Sequence, residues 1–578
     1  MKVKYMRILR RRIAKGRNGL YNGYINQRDA GALEPAFPFD PLSSAAAAVA
    51  ANPEDEVKGM SKRRFISILA LLAITVSLFA GVAGCNKGEE PNEPGQSGNG
   101  GGGKASSKDT IIIATMSEPP SLTNNEHSAV ASNYMNLLTY EGLLRQGMDL
   151  QPEPGLAESW EAVSDTEWDF KIRKGVKFHN GEEMTVEDVK ASLDWAQQFP
   201  LIKTSTENIK QVDIIDDETV RVTTFEPCAV ILSNLTGRAN AIVPKKLIDE
   251  GNNFNDNPIG TGPYKFTKWT MGDSIEFEAF DDYWGGAPAI KHMIWKIIPE
   301  GSSRTIALEA GEIDFIIEVE QMDLDRLEGN KDITVLRYDA TDTNFMTLNF
   351  EKGFSDPNLR HAINSAIDKD SVIAVAANGL GVPMLGQTPP NLIGSFEENA
   401  DKYDPAKAKE YLDKSGVDPK SVTLSIICSN DMKKRAAEVI QANLKEHLGI
   451  DAAIESMDLA TYLSSTSEGN FTACIGGTNS TETVGYIKYQ FHSSAIGGAN
   501  RSRFVDSHVD ETVEHLLTVL DDDDRYAQCE ELCAYLNDQC VVVPLWQPIS
   551  LRAFSSKLKG VEVNAGGTVY FEKCYWED

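Results

Sequence analysis

An α/β or α+β chain of two or three lobes is predicted by three observations. Strand and helix signals alternate from about residue 110 to the end, a strand, helix, strand unit stands near 423–455, and the roughly 470 residues from Asp109 onward exceed one compact core.

The elements follow in order. Thr110-Ile111-Ile112-Ile113-Ala114 is a short run of β-branched residues, the pattern of a buried strand. Trp168 to Ile172 alternates at period two and runs into the turn-rich Arg173-Lys174-Gly175. Thr185 can cap a helix, Asp188 three residues on completes a capping box, and the spacing predicts a helix to about Gln197. Asp356-Pro357 opens another helix with Leu359, Ile363, Ala366 and Ile367 on one face. Helices over 406–412 and 433–448 end at Gly416 and Gly449. Strands at 423–427 and 452–455 flank the last of these, which is the parallel crossover and predicts a separate α/β lobe.

The leader is legible in different terms. Lys62-Arg63-Arg64, the apolar run Phe65 to Ala83 and the small residues before Cys85 have the order of an export signal. Cleavage there leaves the Cys85 thiol to carry lipid, and several acyl chains hold a protein on a membrane without a spanning helix. The competing reading is a transmembrane anchor, since the run approaches the ~20 residues that span a bilayer. Residues 85–108, rich in Gly, Ser and Pro, form a flexible tether in this reading. Residues 60–84 are the signal, and 1–59 are an over-called start or a long basic head, with translation expected from Met60.

Composition excludes some partners. A formal net charge of -29 leaves no basic stripe for nucleic acid. Eight cysteines include Cys85, so seven remain, an odd number. Cys529, Cys533 and Cys540 fall in a stretch that reads as helix; without CxxC or a histidine at ligand spacing they are expected to be small buried side chains. Asp521 to Asp524 reads as a helix start, where negative charge suits the dipole, and lacks the alternate ligands and glycine of a calcium loop. GxSxG, HExxH and GxxxxGK[ST] are absent and GxGxxG matches the Gly-rich stretch 98–103, where no strand precedes it, so no catalytic residue, metal or cofactor is expected.

Several blocks together resemble one family. Gly155-Leu156-Ala157-Glu158-Ser159-Trp160, the stretch Phe170 to Gly181, and Thr185-Val186-Glu187-Asp188-Val189 resemble the hallmark of the family 5 extracellular solute-binding proteins. Gly260-Thr261-Gly262-Pro263-Tyr264, Ala310 to Asp314 and Asn349-Phe350 through Asp356 to Asp368 agree in the expected order. The resemblance implies an α/β, two-lobed periplasmic-binding-protein-like fold with an additional small inserted domain, hinge-connected. It implies lobe I from 109–143, 244–340 and 546–578, an inserted domain at 144–243, and lobe II at 341–545. It also implies a non-enzymatic lipoprotein outside the cytoplasmic membrane that captures peptides or similar small solutes by hinge closure and delivers them to ABC permease subunits. A nickel chelate or haem is the alternative ligand, and a surface-anchored hydrolase the remote alternative function. Gly260, Gly262 and Pro263 are expected to fix a tight turn, and Trp160 and Phe178 to be core aromatics.

The resemblance also places the ligand. Peptide binders of this family carry Gly-Trp-x-Ala-Asp-Tyr, whose aspartate holds the α-amino group; alignment on Gly477 puts Thr478 at the tryptophan and Thr481 at the aspartate. Asn479 lies between them, and Glu482 is the only nearby carboxylate. A buried ammonium needs a counter-charge, so either Glu482 serves or the ligand has no free amino terminus. Trp546 and Gln547 are expected to offer the cleft an aromatic wall. Asn344, Phe345 and Asn349 at the crossing, and Asn124, Asn125 and Glu126 from lobe I, complete the expected contacts.

Overall fold

The strand Val543–Ser555 joins the two halves of the main sheet in a computed structural model that describes residues 108–126 and 129–577. Its early residues pair antiparallel with Thr343–Leu348, Asn344 opposite Trp546 and Met346 opposite Val543. Its later residues pair with Ile333–Asp339, Asp339 opposite Ile549 and Ile333 opposite Ser555. On one side the sheet continues through Ala473–Thr478, Leu424–Cys428 and Ala452–Ser456. On the other it continues through Phe315–Ile316, Thr110–Thr115, His292–Ile297, Ser274–Ala279 and Tyr264–Thr270. The chain thus passes between the halves at two adjacent places, 339–343 and 546–549, the geometry of a two-strand hinge.

Each half has its own core. Met346, Ile363, Ile426, Ile440, Leu444 and Trp546 cluster in one, and Ile111, Ile113, Trp295, Phe315 and Phe554 in the other. Fully burying one such side chain is worth about 1.5–3 kcal/mol, so separate cores let the halves move as bodies. Leu424–Cys428 and Ala452–Ser456 are parallel neighbours linked by the helix Asp431–Leu448, which Asn430 caps and Gly449 ends at φ 70°. The predicted crossover unit is therefore present.

A third core belongs to an antiparallel sheet in the order Ala157–Ser164, Glu167–Ile172, Thr219–Thr224, Ile209–Ile214. Phe170, Val176, Phe178, Val189, Leu193 and Val222 fill it, with Trp160 half-buried at its edge. The helix Val186–Ala196 packs on this sheet, and Asp188 Oδ2 accepts from Thr185 N at 2.9 Å and from Thr185 Oγ1 at 2.8 Å. Asp188 Oδ1 also accepts from Lys245 N at 2.7 Å, so one carboxylate closes the cap and holds the returning chain.

Two expectations are corrected in their reasons. The tight turn expected at Gly260 and Gly262 uses no left-handed glycine, since neither has positive φ. A Cβ on Gly260 would stand 2.1 Å from Thr139 O, and one on Gly262 2.4 Å from Leu138 O, so glycine is required by close backbone approach. His179 fastens the same place: its Nε2–H donates to Gly262 O at 2.9 Å, and burial lowers its pKa to about 4, keeping it neutral. Cys540 is not helical but follows Asp522–Gln539 in the left-handed region at φ 43°. The described cysteines are all free and buried, and burial pushes the Cys533 thiol up to about 11 and the Cys540 thiol up to about 12. Asp521 caps its helix by accepting from Asp524 N at 3.0 Å.

No described helix is long and apolar enough to cross a membrane. The expectations about the upstream start, the export signal, Cys85 and all but the last residue of the tether lie outside the described residues.

Candidate functional site: an interlobe cleft

A cavity of about 1320 Å³ opens between the two halves, with the antiparallel domain as a third wall. That exceeds the ~300–1,000 Å³ usual for a drug-sized ligand. Tyr140 and Glu141 enter it just past the helix Val130–Thr139, Phe225 and Asn234 from the antiparallel domain, and Thr481, Glu482, Lys488, Tyr489 and His492 from the second half. Two hydrogen bonds seat the antiparallel domain against that second half: Ala229 N donates to Leu517 O at 2.7 Å, and Tyr526 Oη to Gln151 Oε1 at 3.1 Å.

Local sequence explains the second wall. Glu482 caps the helix Thr483–Phe491, its two carboxylate oxygens accepting from Val484 N at 3.0 Å and Gly485 N at 2.6 Å. Val484, Ile487 and Phe491 turn into the lobe, so Lys488 and Tyr489 project outward at the cleft, Tyr489 58% exposed. Across from them Phe225 is 65% exposed, an unusual state for a large apolar side chain. Burial raises the pKa of Glu482 while the two amides oppose it.

Glu141 holds the opposite wall. Tyr283 Oη donates to Oε1 at 2.8 Å, while Trp284 Nε1 at 2.8 Å and Thr261 Oγ1 at 2.9 Å donate to Oε2. Burial outweighs these donors and pushes its pKa up to about 7. Three lining residues carry a buried polar atom with no hydrogen-bond partner in the protein: Tyr140 Oη, Asn234 Nδ2 and His492 Nε2. His492 Nδ1 accepts from Ser494 N at 3.1 Å, so the proton sits on Nε2 and that atom is a donor.

The structure separates the expected site residues. Thr481 and Glu482 line the cavity. Thr478 and Asn479 stand just before them, Thr478 O accepting from Thr343 Oγ1 at 2.8 Å and Asn479 Nδ2 donating to Asp342 Oδ1 at 3.3 Å. Trp546 is corrected: fully buried in the second half's core, it gives this cavity no wall. Gln547 is buried too, its Nε2 donating to Ala340 O at 2.6 Å and Asn391 Oδ1 at 2.7 Å. Asn344 is buried beside Gly477, Phe345 lies in a neighbouring core, and Asn349 Nδ2 donates to Gly469 O and Phe471 O, both at 3.1 Å. Asn124 Nδ2 donates to Arg238 O at 3.2 Å, Asn125 is fully buried with an unpartnered amide, and Glu126 is exposed. Sequence reasoning missed Tyr140, Glu141, Phe225, Asn234, Lys488, Tyr489 and His492. No motif marks them; only the unusual Phe225-Glu226-Pro227 step after a period-two strand hints at an exposed aromatic.

Comparison with known proteins agrees with this geometry. The family model for bacterial extracellular solute-binding proteins, family 5 Middle, matches residues 151–498. Heme-binding protein A of Haemophilus influenzae is 26% identical over 501 residues, covering 79% of this chain and 90% of that protein. Glutathione-binding protein GsiB of Salmonella choleraesuis is 28% identical over 367 residues, 61% of this chain and 70% of its own. The periplasmic binding protein DppA of Helicobacter pylori, solved with the peptide STSA, superposes at TM-score 0.67 with 27% identity over 81% of this chain and 98% of its own. HbpA2 of Haemophilus parasuis superposes at TM-score 0.73 with 22% identity over 81% of this chain and all of its own, which shows the shared fold. Two lobes on a two-strand crossing, a cleft between them and a family match over more than half its length place this chain among the family 5 bacterial extracellular solute-binding proteins.

Proposed function

We propose that this protein captures a short peptide or peptide-like solute in the interlobe cleft and hands it to the permease of an ABC importer. The observation that carries the reading is the cavity of about 1320 Å³ lined from both halves, with Glu141 on one wall and Glu482, Lys488 and Tyr489 on the other. A ligand that meets both walls favours the closed state by its differential affinity. The exposed rings of Phe225 and Tyr489 suit varied side chains.

Lobe I comprises 109–143, 244–340 and 546–578 in this proposal, the inserted domain 144–243 and lobe II 341–545. Cys85 is the lipid attachment that keeps the protein at the outer face of the cytoplasmic membrane or in the periplasm. Glu482 anchors the ligand's α-amino group, because each carboxylate oxygen retains a lone pair beyond its bond to a backbone amide. Relatives named for haem and for glutathione support neighbouring readings. Haem is ranked second, since His492 presents a proton at Nε2 rather than a lone pair.

Calorimetry with matched free and N-acetylated peptides tests the anchor. Glu482→Gln keeps one of the two cap bonds, its amide having a single acceptor oxygen, and is expected to weaken free-amine peptides roughly tenfold, the worth of about 1.4 kcal/mol for a charged hydrogen bond, while leaving acetylated ones unchanged. Equal affinities for both series in the unaltered protein would remove Glu482 from this role.

A further inference from the structure

A cluster on the second half has no part in the cleft. His361 on the helix Pro357–Ser365, Asp401 ahead of the helix Pro405–Ser415, and Cys540 capping Asp522–Gln539 bring imidazole, carboxylate and thiol atoms within 4.8 Å of one another. We propose that His361, Asp401 and Cys540 form a binding site for a borderline transition-metal dication of the zinc type, with the Asn364 side-chain oxygen as fourth donor.

Orientation favours coordination. His361 Nε2–H donates to Asp538 O at 2.9 Å, which fixes the ring and turns Nδ1 toward Asp401 Oδ2, 2.5 Å away. A metal-bound histidine ordinarily has its other nitrogen tied in this way to a carbonyl or carboxylate. Tyr411 stacks on the imidazole at 4.9 Å and holds its plane. Lys407 Nζ lies 3.6 Å from Asp401 Oδ1, so the neutralised oxygen faces outward and Oδ2 faces the cluster. Arg360 donates to Cys540 O at 3.0 Å and Gln539 O at 2.7 Å, fastening the turn that presents the thiol.

The fourth position is independently marked. Asn364 is 2% exposed, and its Oδ1 has no partner while Nδ2 stands 3.4 Å from Asp401 Oδ2. Either orientation of the amide keeps it against the cluster, and one offers oxygen to a cation. Nitrogen, oxygen and sulfur donors together suit zinc, cobalt or nickel and disfavour magnesium or calcium. Metal–ligand lengths of about 2.0–2.3 Å bring tetrahedral ligands to roughly 3.5 Å apart, so the longest edge would contract by about 1 Å. The incoming dication would displace the proton His361 Nδ1 shares with Asp401 and the proton of the Cys540 thiol. The ion would tie three helices of lobe II together without touching the cleft.

Titration of the metal-free full chain with Co²⁺ tests this. One equivalent is expected to give a near-ultraviolet thiolate-to-cobalt band that Zn²⁺ removes by competition. Cys540→Ser should abolish the band and His361→Gln should weaken Zn²⁺ roughly 10–100-fold or more, while Cys474→Ser leaves both intact. A raised melting temperature with Zn²⁺ in the unaltered chain and none in Cys540→Ser gives a second readout should His361→Gln fold poorly. Absence of the band, or its persistence in Cys540→Ser, overturns the site and leaves the cluster a hydrogen-bonded pin.

Discussion

The helix cap at Thr185 and Asp188 with its neighbour His179, and the cleft wall at 478–492, treat their side chains in opposite ways. In the first, Asp188 has three donors and His179 is fixed to Gly262. In the second, Lys488 and Tyr489 project into the cavity, Tyr489 58% exposed. Saturated groups stabilise an architecture, and exposed ones at a cavity are free to meet a ligand. Substitutions in the first region should therefore change stability and leave affinity alone, and the reverse should hold at the cleft.

The largest effect is expected at the glycines. Gly260→Ala pushes a methyl toward Thr139 O and should cost about 3 kcal/mol, read as a lower denaturation midpoint with unchanged affinity of the folded fraction. A neutral result would show that the contact relaxes and that domain docking is loose.

Glu141 sharpens the contrast through pH. Its carboxyl titrates near 7 when folded against 4.5 when free, so the folded state holds a proton that the unfolded chain has lost between those values. Stability should accordingly fall as pH rises from about 4.5 to 7, by roughly 2 kcal/mol once partial exposure is discounted, and level off above. Thermal melts of Glu141→Gln across that window should show no such fall.

Asp188→Ala should cost about 1.5 kcal/mol of stability through the lost cap and its tie to Lys245, without altering affinity. Smallest is Tyr489→Ala, which removes an exposed ring at the cleft: stability should hold, and peptide affinity should drop about fivefold, near 1 kcal/mol, by calorimetry. Were the affinity loss absent, the exposed cleft rings would not be ligand contacts.

Legibility in the sequence divides along the same line. Caps and crossover were readable because they are local: Thr185 with Asp188, and the helix from about 433 to its stop at Gly449. Trp546 was misplaced because the residues Val543–Gln547 are buried on both faces, so a period-two pattern gives no side. Phe225 and Tyr489 escaped notice because a single exposed aromatic has the same sequence signature as a core one. His361, Asp401 and Cys540 share no local spacing; 40 positions separate the first two, and only the packing of three helices assembles them. A resemblance in the hallmark block carries over the fold and leaves the ligand to residues that no motif names.

Native mass spectrometry after incubation with a mixed library of short peptides, paired with solution scattering, tests the central claim most directly. The account predicts one peptide retained per chain and a smaller radius of gyration than in the ligand-free protein. Chains that emerge empty, with scattering identical before and after incubation, would contradict it.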